Sequence, residues 1–86
     1  MPKTRANART PAYAKLGKYL ASVRENEKLS QAELAKKAGR TQSVIAQTET
    51  GRRRLDVIEF IDLAKALGES PRRLFDRLLE QLGRDK

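Results

Sequence analysis

The sequence contains neither cysteine nor histidine. Disulfides and thiolate nucleophiles are therefore excluded, and so are most zinc sites, which are built from these two residue types. The usual general base near neutral pH is missing as well. Among the remaining polar residues we recognise no metal-ligand cluster, no nucleophile–base pair and no phosphate-binding loop. We therefore expect a protein that is not an enzyme and that needs no metal or cofactor.

Aromatic residues and long apolar stretches are also scarce. Aromatics make up 5% of the chain, and the apolar runs are only a few residues long. Runs this short neither span a bilayer nor act as the apolar part of a signal peptide. A length of 86 residues suits one small domain. We expect that domain to reside in the cytoplasm.

Positive charge is abundant and unevenly distributed. The chain has 19 Lys and Arg residues against 11 Asp and Glu residues, for a net charge of +8. Residues 1–24 contain basic side chains and no acidic one, Arg52, Arg53 and Arg54 form a second basic stretch, and residues 55–86 are nearly neutral. A basic excess of this size on a small chain favours a polyanionic partner, most often nucleic acid.

Apolar residues recur at the three- and four-residue spacings of amphipathic helices, and no useful length alternates with period two. Together with capping signals, this pattern predicts five helices, over about residues 11–26, 30–38, 41–50, 56–67 and 70–82. The apolar set of the fourth helix consists of these residues: Val57, Phe60, Ile61, Leu63, Ala64 and Leu67. The sequence thus predicts a compact all-α domain over residues 11–83, with a basic arm at 1–10 and a short tail at 84–86.

The segment between Gln31 and Thr50 meets the demands of a helix-turn-helix. Such a motif needs a small residue where its two helices cross, here Ala35, and a residue that tolerates positive φ in the turn, here Gly39. Its second helix then presents hydrogen-bonding side chains on its outer face, and residues 42–47 supply Gln and Ser at suitable positions. An amide pairs bidentately with adenine, and a hydroxyl donates or accepts at a base edge.

This stretch resembles the helix-turn-helix of the phage-repressor and Cro family, also called XRE-type. The resemblance runs from about Leu16 to Leu74 and rests on these elements: Leu29-Ser30-Gln31, Glu33-Leu34-Ala35, Gly39, Gln42-Ser43, Glu49 with Gly51, and the run from Leu63 to Gly68. It implies a lambda-repressor-like fold. It also implies a sequence-specific double-stranded DNA-binding regulator of transcription, a repressor, from a bacterium or a phage.

The resemblance implies roles for individual residues. Gln31 would reach a phosphate and brace Gln42, and Arg24 would form a structural ion pair with Glu49. We expect base or phosphate contacts from Gln31, Arg40, Thr41, Gln42, Ser43, Gln47, Arg52, Arg53 and Arg54, and possible arm contacts from Lys3, Arg5 and Arg9. Two residues depart from the family pattern: Arg40 and Thr48 stand where apolar residues are usual, and Thr48 should thin the core beside the third helix.

The fifth helix has an apolar stripe that is wider than the edge of a small core needs. Leu74 and Leu78 are expected in the core. Phe75, Leu79 and Leu82 then form a candidate contact between the two copies of a homodimer, unless all five side chains are core residues. Two copies would place two reading helices roughly 34 Å apart, on successive major grooves of an inverted-repeat operator.

Two further functions stay open at this point. An antitoxin would use the same fold to repress its own operon while its terminal segments bind a toxin. A protein-interaction module would use the helical scaffold without DNA, although the basic stretch at Arg52–Arg54 argues against it. Failure to bind any duplex at low salt would favour the interaction module.

Overall fold

The computed structural model describes residues 10–85, and these form five helices: α1 (Pro11–Asn26), α2 (Gln31–Ala38), α3 (Gln42–Glu49), α4 (Val57–Ala66) and α5 (Pro71–Gln81). The predicted all-α fold is confirmed, and no strand occurs within these residues. No helix in this part of the chain has the length and apolarity that crossing a membrane requires. The arm residues Lys3, Arg5 and Arg9 lie outside the described residues.

Each helix begins at the residue that its capping signal indicates. In every case a side-chain oxygen of the N-cap residue accepts a hydrogen bond from the backbone N–H three positions later, which satisfies an amide that the helix itself leaves free. The N-cap residues are Thr10, Ser30, Thr41, Asp56 and Ser70. Local sequence therefore sets the helix register before any tertiary contact is considered.

All five helices contribute to one core. The helix α2 packs between α3 and α4, while α1 packs against α3 and α5, and α4 against α5. The buried cluster consists of Leu20, Leu34, Ala35, Ile45, Leu63, Ala64, Leu67 and Leu74. Leu78 is buried too, so the prediction that Leu74 and Leu78 belong to the core is confirmed.

A close backbone approach holds α1 against the C-terminal end of α3. A Cβ atom at Gly17 would lie 2.5 Å from the carbonyl oxygen of Thr48. This distance is a steric clash, so the position requires glycine. Ala14 lies one turn before Gly17 in α1, and its backbone lies against Gly51, which has a φ of +77°. Two glycines thus let α1 contact the end of α3 without intervening side chains. Gly17 carries no signal of this role in the sequence, because it lies within a helix.

Two features of the packing differ from the apolar pattern of the sequence. Val57, which belongs to the apolar set of the fourth helix, is 72% exposed, and its neighbour Ile58 is 64% exposed. Both lie in the first turn of α4, on a side that no other helix of the described chain covers. Thr48 is buried, and its hydroxyl donates to the carbonyl oxygen of Val44 at 2.8 Å. The cavity beside it measures only about 10 Å³, so the loss of apolar volume there is small.

Arg53 and Glu59 fix the loop between α3 and α4. The guanidinium donates to both carboxylate oxygens of Glu59, at 3.0 and 2.6 Å. The same carboxylate accepts from the backbone N–H of Asp56 at 3.1 Å, as its part of a capping box. One acidic side chain therefore caps α4 and anchors the loop that leads to it.

Acid should weaken the fold through Glu59. Its pKa lies below the ordinary value, mainly because Arg53 donates to the charged carboxylate. A carboxyl group with a depressed folded-state pKa stabilises the fold above its unfolded pKa, and this contribution is lost as the pH falls through the folded-state pKa. The free energy of unfolding, measured by urea titration with far-ultraviolet circular dichroism, should therefore decrease over that acidic range.

The matched variant is Glu59→Gln, which keeps the size of the side chain and one acceptor but loses the charge. Its free energy of unfolding at neutral pH should be lower by about 1–3 kcal/mol, and its decrease in acid should be shallower than that of the wild type. An equally steep decrease in both proteins would assign the acid effect to other carboxylates.

Candidate nucleic-acid interface

The helices α2 and α3 form a helix-turn-helix around Ala35 and Gly39. Ala35 is buried, and its carbonyl oxygen accepts the backbone N–H of Arg40 at 2.9 Å. Gly39 adopts a φ of +69° in the left-handed region, which closes α2 and redirects the chain within two residues. Thr41 then caps α3. The tight turn sets the angle at which α3 leaves the domain.

One face of α3 is polar and exposed. Ile45 and Thr48 point into the protein, whereas Gln42, Ser43 and Gln47 are exposed. Gln47 donates to the hydroxyl of Ser43 at 3.4 Å. Thr41, at the N-cap, is exposed beside them. The structure thus brings four of the predicted site residues onto one surface, which presents amide and hydroxyl groups to the solvent.

Gln31 is held differently from what the resemblance implies. Its side-chain nitrogen donates to Oε1 of Glu49 at 2.9 Å, so Glu49 rather than Gln42 is its partner. Gln31 is the first residue of α2, and Glu49 is the last of α3. The brace expected between the first residues of the two helices is therefore replaced by one that joins the start of α2 to the end of α3.

The ion pair between Arg24 and Glu49 is present. Nε of Arg24 donates to Oε2 at 2.6 Å and Nη2 donates to Oε1 at 3.1 Å, with 11% and 8% of the two side chains exposed. The remaining nitrogen, Nη1, donates to the carbonyl oxygen of Leu29 at 2.7 Å. The hydrogen bond with Glu49 raises the pKa of Arg24, so the guanidinium stays charged. This pair links α1, α3 and the loop that enters α2.

The basic residues around α3 fall into two groups. Arg52 and Arg54 are exposed, on the loop that follows the helix. Arg53 is bound by Glu59, and Arg40 donates from Nη2 to Oδ2 of Asp62 at 2.9 Å. The Nε of Arg40 is buried and has no hydrogen-bond partner among residues 10–85. The sequence alone does not distinguish these four arginines, because the acidic partners of Arg40 and Arg53 come close only in the folded chain.

An apolar surface lies on α4 and α5, formed by Val57, Ile58, Phe60 and Phe75. We call it the α4–α5 face. Phe75 is 49% exposed, and its ring packs edge-on against Phe60 with centroids 6.0 Å apart. These rings line a groove of about 440 Å³ whose other walls include Leu16 and Leu55, with Asp56 and Arg72 at its border. Exposed apolar surface of this kind commonly marks an interaction site.

Leu79 and Leu82, predicted beside Phe75, are half-buried. Leu82 lines a smaller groove that shares Leu16 and Leu55 with the larger one. The most exposed apolar residues thus lie at the start of α4, which the analysis of the α5 stripe alone did not find. The signal was in the sequence as the pair Val57-Ile58, directly after a capping residue.

Comparison with known proteins agrees with the motif. The helix-turn-helix domain family matches residues 15–78 of the chain. No curated protein matches it in sequence. Among solved structures, the restriction-modification controller protein C.AhdI from Aeromonas hydrophila is 33% identical, with a TM-score of 0.73, over 77% of this chain and 100% of that one.

An XRE-family like protein from Pseudomonas syringae pv. tomato str. DC3000 is 39% identical, with a TM-score of 0.72, over 80% of this chain and 84% of that one. The controller protein C.Esp1396I was solved as a tetramer in complex with its natural 35 base-pair operator. It is 20% identical, covers 85% of this chain and 96% of its own, and has a TM-score of 0.78, which reflects a shared fold. By the match over residues 15–78 and these two relatives above 30% identity, the chain belongs to the XRE-type helix-turn-helix family.

Proposed function

We propose that this DNA-binding transcriptional regulator is a sequence-specific repressor that binds an inverted-repeat operator as a homodimer and reads the major groove with α3. The observation that carries the proposal is the exposed polar face of α3, flanked by the exposed basic residues Arg52 and Arg54. Its relatives named as controller proteins, one of them bound to its operator, support this function. A regulator acts where the DNA is, so we place the protein in the cytoplasm. Its family consists of DNA-binding regulators rather than enzymes.

The residues of the interface divide by the part of the DNA that they contact. Gln42, Ser43 and Gln47 select bases, because their amide and hydroxyl groups match base edges in the major groove. Arg52 and Arg54 bind backbone phosphates, which fixes the register without reading sequence. Further phosphate contacts come from Gln31, Thr41, Arg40 and Arg53. The last two contribute less, since each already shares its guanidinium with a carboxylate.

A second copy of the chain covers the α4–α5 face in the proposed dimer. The face is self-complementary, because it offers both protruding side chains, Val57 and Ile58, and a groove of about 440 Å³ beside them. A two-fold axis brings the same surface of both copies together. The opposite charges of Asp56 and Arg72 at the border then allow each to face the other across the axis. Phe75 lies at the centre, with Leu79 and Leu82 towards the edge.

This arrangement leaves the reading helix free. The α4–α5 face belongs to helices that lie away from α3, which packs mainly against α1 and α2. Two copies joined through this face therefore expose both α3 helices. A spacing of about 34 Å between them would match one turn of B-DNA.

Selection from a random duplex library at near-physiological salt tests the function directly. The bound pool should converge on an inverted repeat whose half-sites are about one helical turn apart, because a two-fold dimer presents two identical reading helices. The selected sequences, read by sequencing, provide the operator. A pool that stays random while binding remains salt-sensitive would contradict autonomous sequence reading and favour a partner-dependent, antitoxin-like protein. No binding at low salt would favour the interaction module.

Variants separate base contacts from phosphate contacts. Gln42→Ala should weaken binding to the selected operator by about 1–3 kcal/mol and binding to random DNA much less. Replacing Arg52 and Arg54 together by alanine should weaken binding to both DNAs alike and reduce the slope of log affinity against log salt by about 0.9 per lost phosphate contact. Fluorescence anisotropy titrations over a salt series measure both effects.

Arg53→Ala serves as the control for the two exposed arginines. It removes the same charge, yet its principal effect should be on stability, because Arg53 anchors the loop to Glu59. Equal losses of Gln42→Ala on operator and random DNA would contradict the base contact. A salt slope unchanged by the Arg52 and Arg54 variant would contradict their phosphate contacts.

The dimer contact is tested by Ile58→Glu. Ile58 is the second residue of α4, where a negative charge suits the helix dipole, so the monomer should keep its fold while the interface acquires two buried charges. Dimerisation measured by sedimentation equilibrium should weaken by more than about tenfold. Ala32→Glu places the same charge at the second residue of α2 and should leave the dimer intact. An undiminished dimer in Ile58→Glu would place the contact elsewhere.

A further inference from the structure

Glu49 connects the start of α2 to the end of α3 through a fully engaged carboxylate. Its Oε1 accepts from Gln31 at 2.9 Å and from Nη2 of Arg24 at 3.1 Å, and its Oε2 accepts from Nε of Arg24 at 2.6 Å. Only 8% of the side chain is exposed. Two N–H groups of Arg24 already form the ion pair between α1 and α3. The hydrogen bond from Gln31 is an additional contact, and it joins α2 to this pair.

The carboxylate fixes which way the amide of Gln31 points. An ionised carboxylate only accepts hydrogen bonds, so Gln31 must turn its nitrogen, and not its oxygen, towards Glu49. That nitrogen has two N–H groups and Glu49 uses one of them. Gln31 is only half-buried, at the first position of α2, and its second N–H makes no hydrogen bond to residues 10–85. A phosphate, which likewise only accepts, suits that remaining donor.

Gln42 is released by the same contact. Its side chain is exposed and makes no hydrogen bond to the part of the chain between residues 10 and 85. Had it braced Gln31, one end of its amide would be occupied. With both ends free, the amide can bind adenine through two hydrogen bonds in the major groove: its N–H donates to N7 and its oxygen accepts from the N6 amino group.

We propose that Glu49 is a positioning residue for DNA binding: it orients Gln31 so that one amide N–H meets a backbone phosphate, and it thereby frees Gln42 to read a base. This inference rests on the proposed function and deepens it. Glu49 itself does not touch the DNA. Its negative charge, which would repel a phosphate, is neutralised by Arg24 in the same network.

Double-mutant cycles in operator affinity test the proposal. Gln31→Ala should weaken operator binding roughly tenfold in the wild type and by less than about twofold in Glu49→Gln. The amide at position 49 can present either its nitrogen or its oxygen to Gln31, so it no longer fixes the orientation of that side chain. In Gln42→Ala the same substitution should again cost roughly tenfold, since the two glutamines act separately. The affinities are measured by anisotropy on full-length protein, at a temperature where every variant is folded.

Glu59→Gln is the matched control. Glu59 is a second, similarly buried carboxylate that binds an arginine through both oxygens, but it makes no contact with Gln31. In this background Gln31→Ala should keep its roughly tenfold effect. A general consequence of losing a buried ion pair would instead reduce the effect of Gln31→Ala in both backgrounds.

The outcomes separate this inference from the proposed function. If Gln31→Ala has its full effect in Glu49→Gln, or if it is coupled to Gln42 instead, Glu49 is not the positioning residue. A wild type that binds no duplex would remove the proposed function and this inference together. A wild type that binds a selected operator with uncoupled Gln31 and Glu49 would remove the inference alone.

A second measurement uses the wild type, so that it does not depend on the folding of Glu49→Gln. The side-chain amide of Gln31, assigned in NMR spectra by its loss in Gln31→Ala, should show one N–H shifted by the carboxylate in free protein. Addition of the operator should move the other N–H and leave the first in place. An amide with neither N–H shifted before or after addition of DNA would overturn the proposal.

Discussion

The placement of α3 depends on the carboxylate of Glu49. The helix has eight residues, too few to be stable alone in water, so tertiary contacts must hold it. Ile45 anchors its middle in the core, and the backbone of α1 at Gly17 lies against its end. Burial of Ile45 and Thr48 decides which face of α3 points outward. The hydrogen bonds of Glu49 to Arg24 and Gln31 are directional, and they tie the end of α3 to α1 and to the start of α2.

A buried ion pair is seldom a strong source of stability, because removing two charges from water offsets most of their attraction. The contribution of this ion pair is to hold neighbouring groups in defined positions. An apolar pair at positions 24 and 49 could fill the same space, yet it would neither orient the amide of Gln31 nor accept from two helices at once. The network therefore contributes to the shape of the recognition surface more than to the free energy of unfolding.

The net charge of the chain does not show which basic side chains are available to bind DNA. Three arginines near the motif, Arg24, Arg40 and Arg53, have carboxylate partners. Arg52 and Arg54, by contrast, are exposed on the loop after α3. Counterion release on binding depends on the phosphates that are neutralised, so the slope of affinity against salt should reflect the exposed pair more than the total of +8. The fold thus divides the arginines into those paired with carboxylates and those left exposed.

Local rules predicted much of this structure. The cap residues gave the helix starts, Ala35 and Gly39 gave the turn, and the resemblance to the phage-repressor family gave the pair of Arg24 and Glu49. These features depend on neighbours in sequence or on a pattern shared across a family. The exposed face of α3 followed from helical periodicity once its start was known.

Other features depend on distances that periodicity does not contain. Glu59 follows Asp56 at the spacing of a capping box, but its second role as the partner of Arg53 requires the loop to fold back. Val57 matched the apolar period of α4, yet a period gives the direction of a side chain and not whether another helix covers it. Gly17 was overlooked because the approach of α1 to α3 becomes visible only when both helices are in place.

The exposed start of α4 completes the argument for a two-fold assembly. A helix of eight residues contacts only a few base pairs, which is too little to single out one site in a genome. In the proposed dimer, joining two copies through Val57, Ile58 and Phe75 would make the second half-site contact intramolecular, so affinity would rise without a longer helix. In that dimer the exposed apolar residues of one copy would bring in the second reading helix that a single α3 lacks. Because assembly and operator binding are then linked, occupancy of the operator depends steeply on the concentration of the protein.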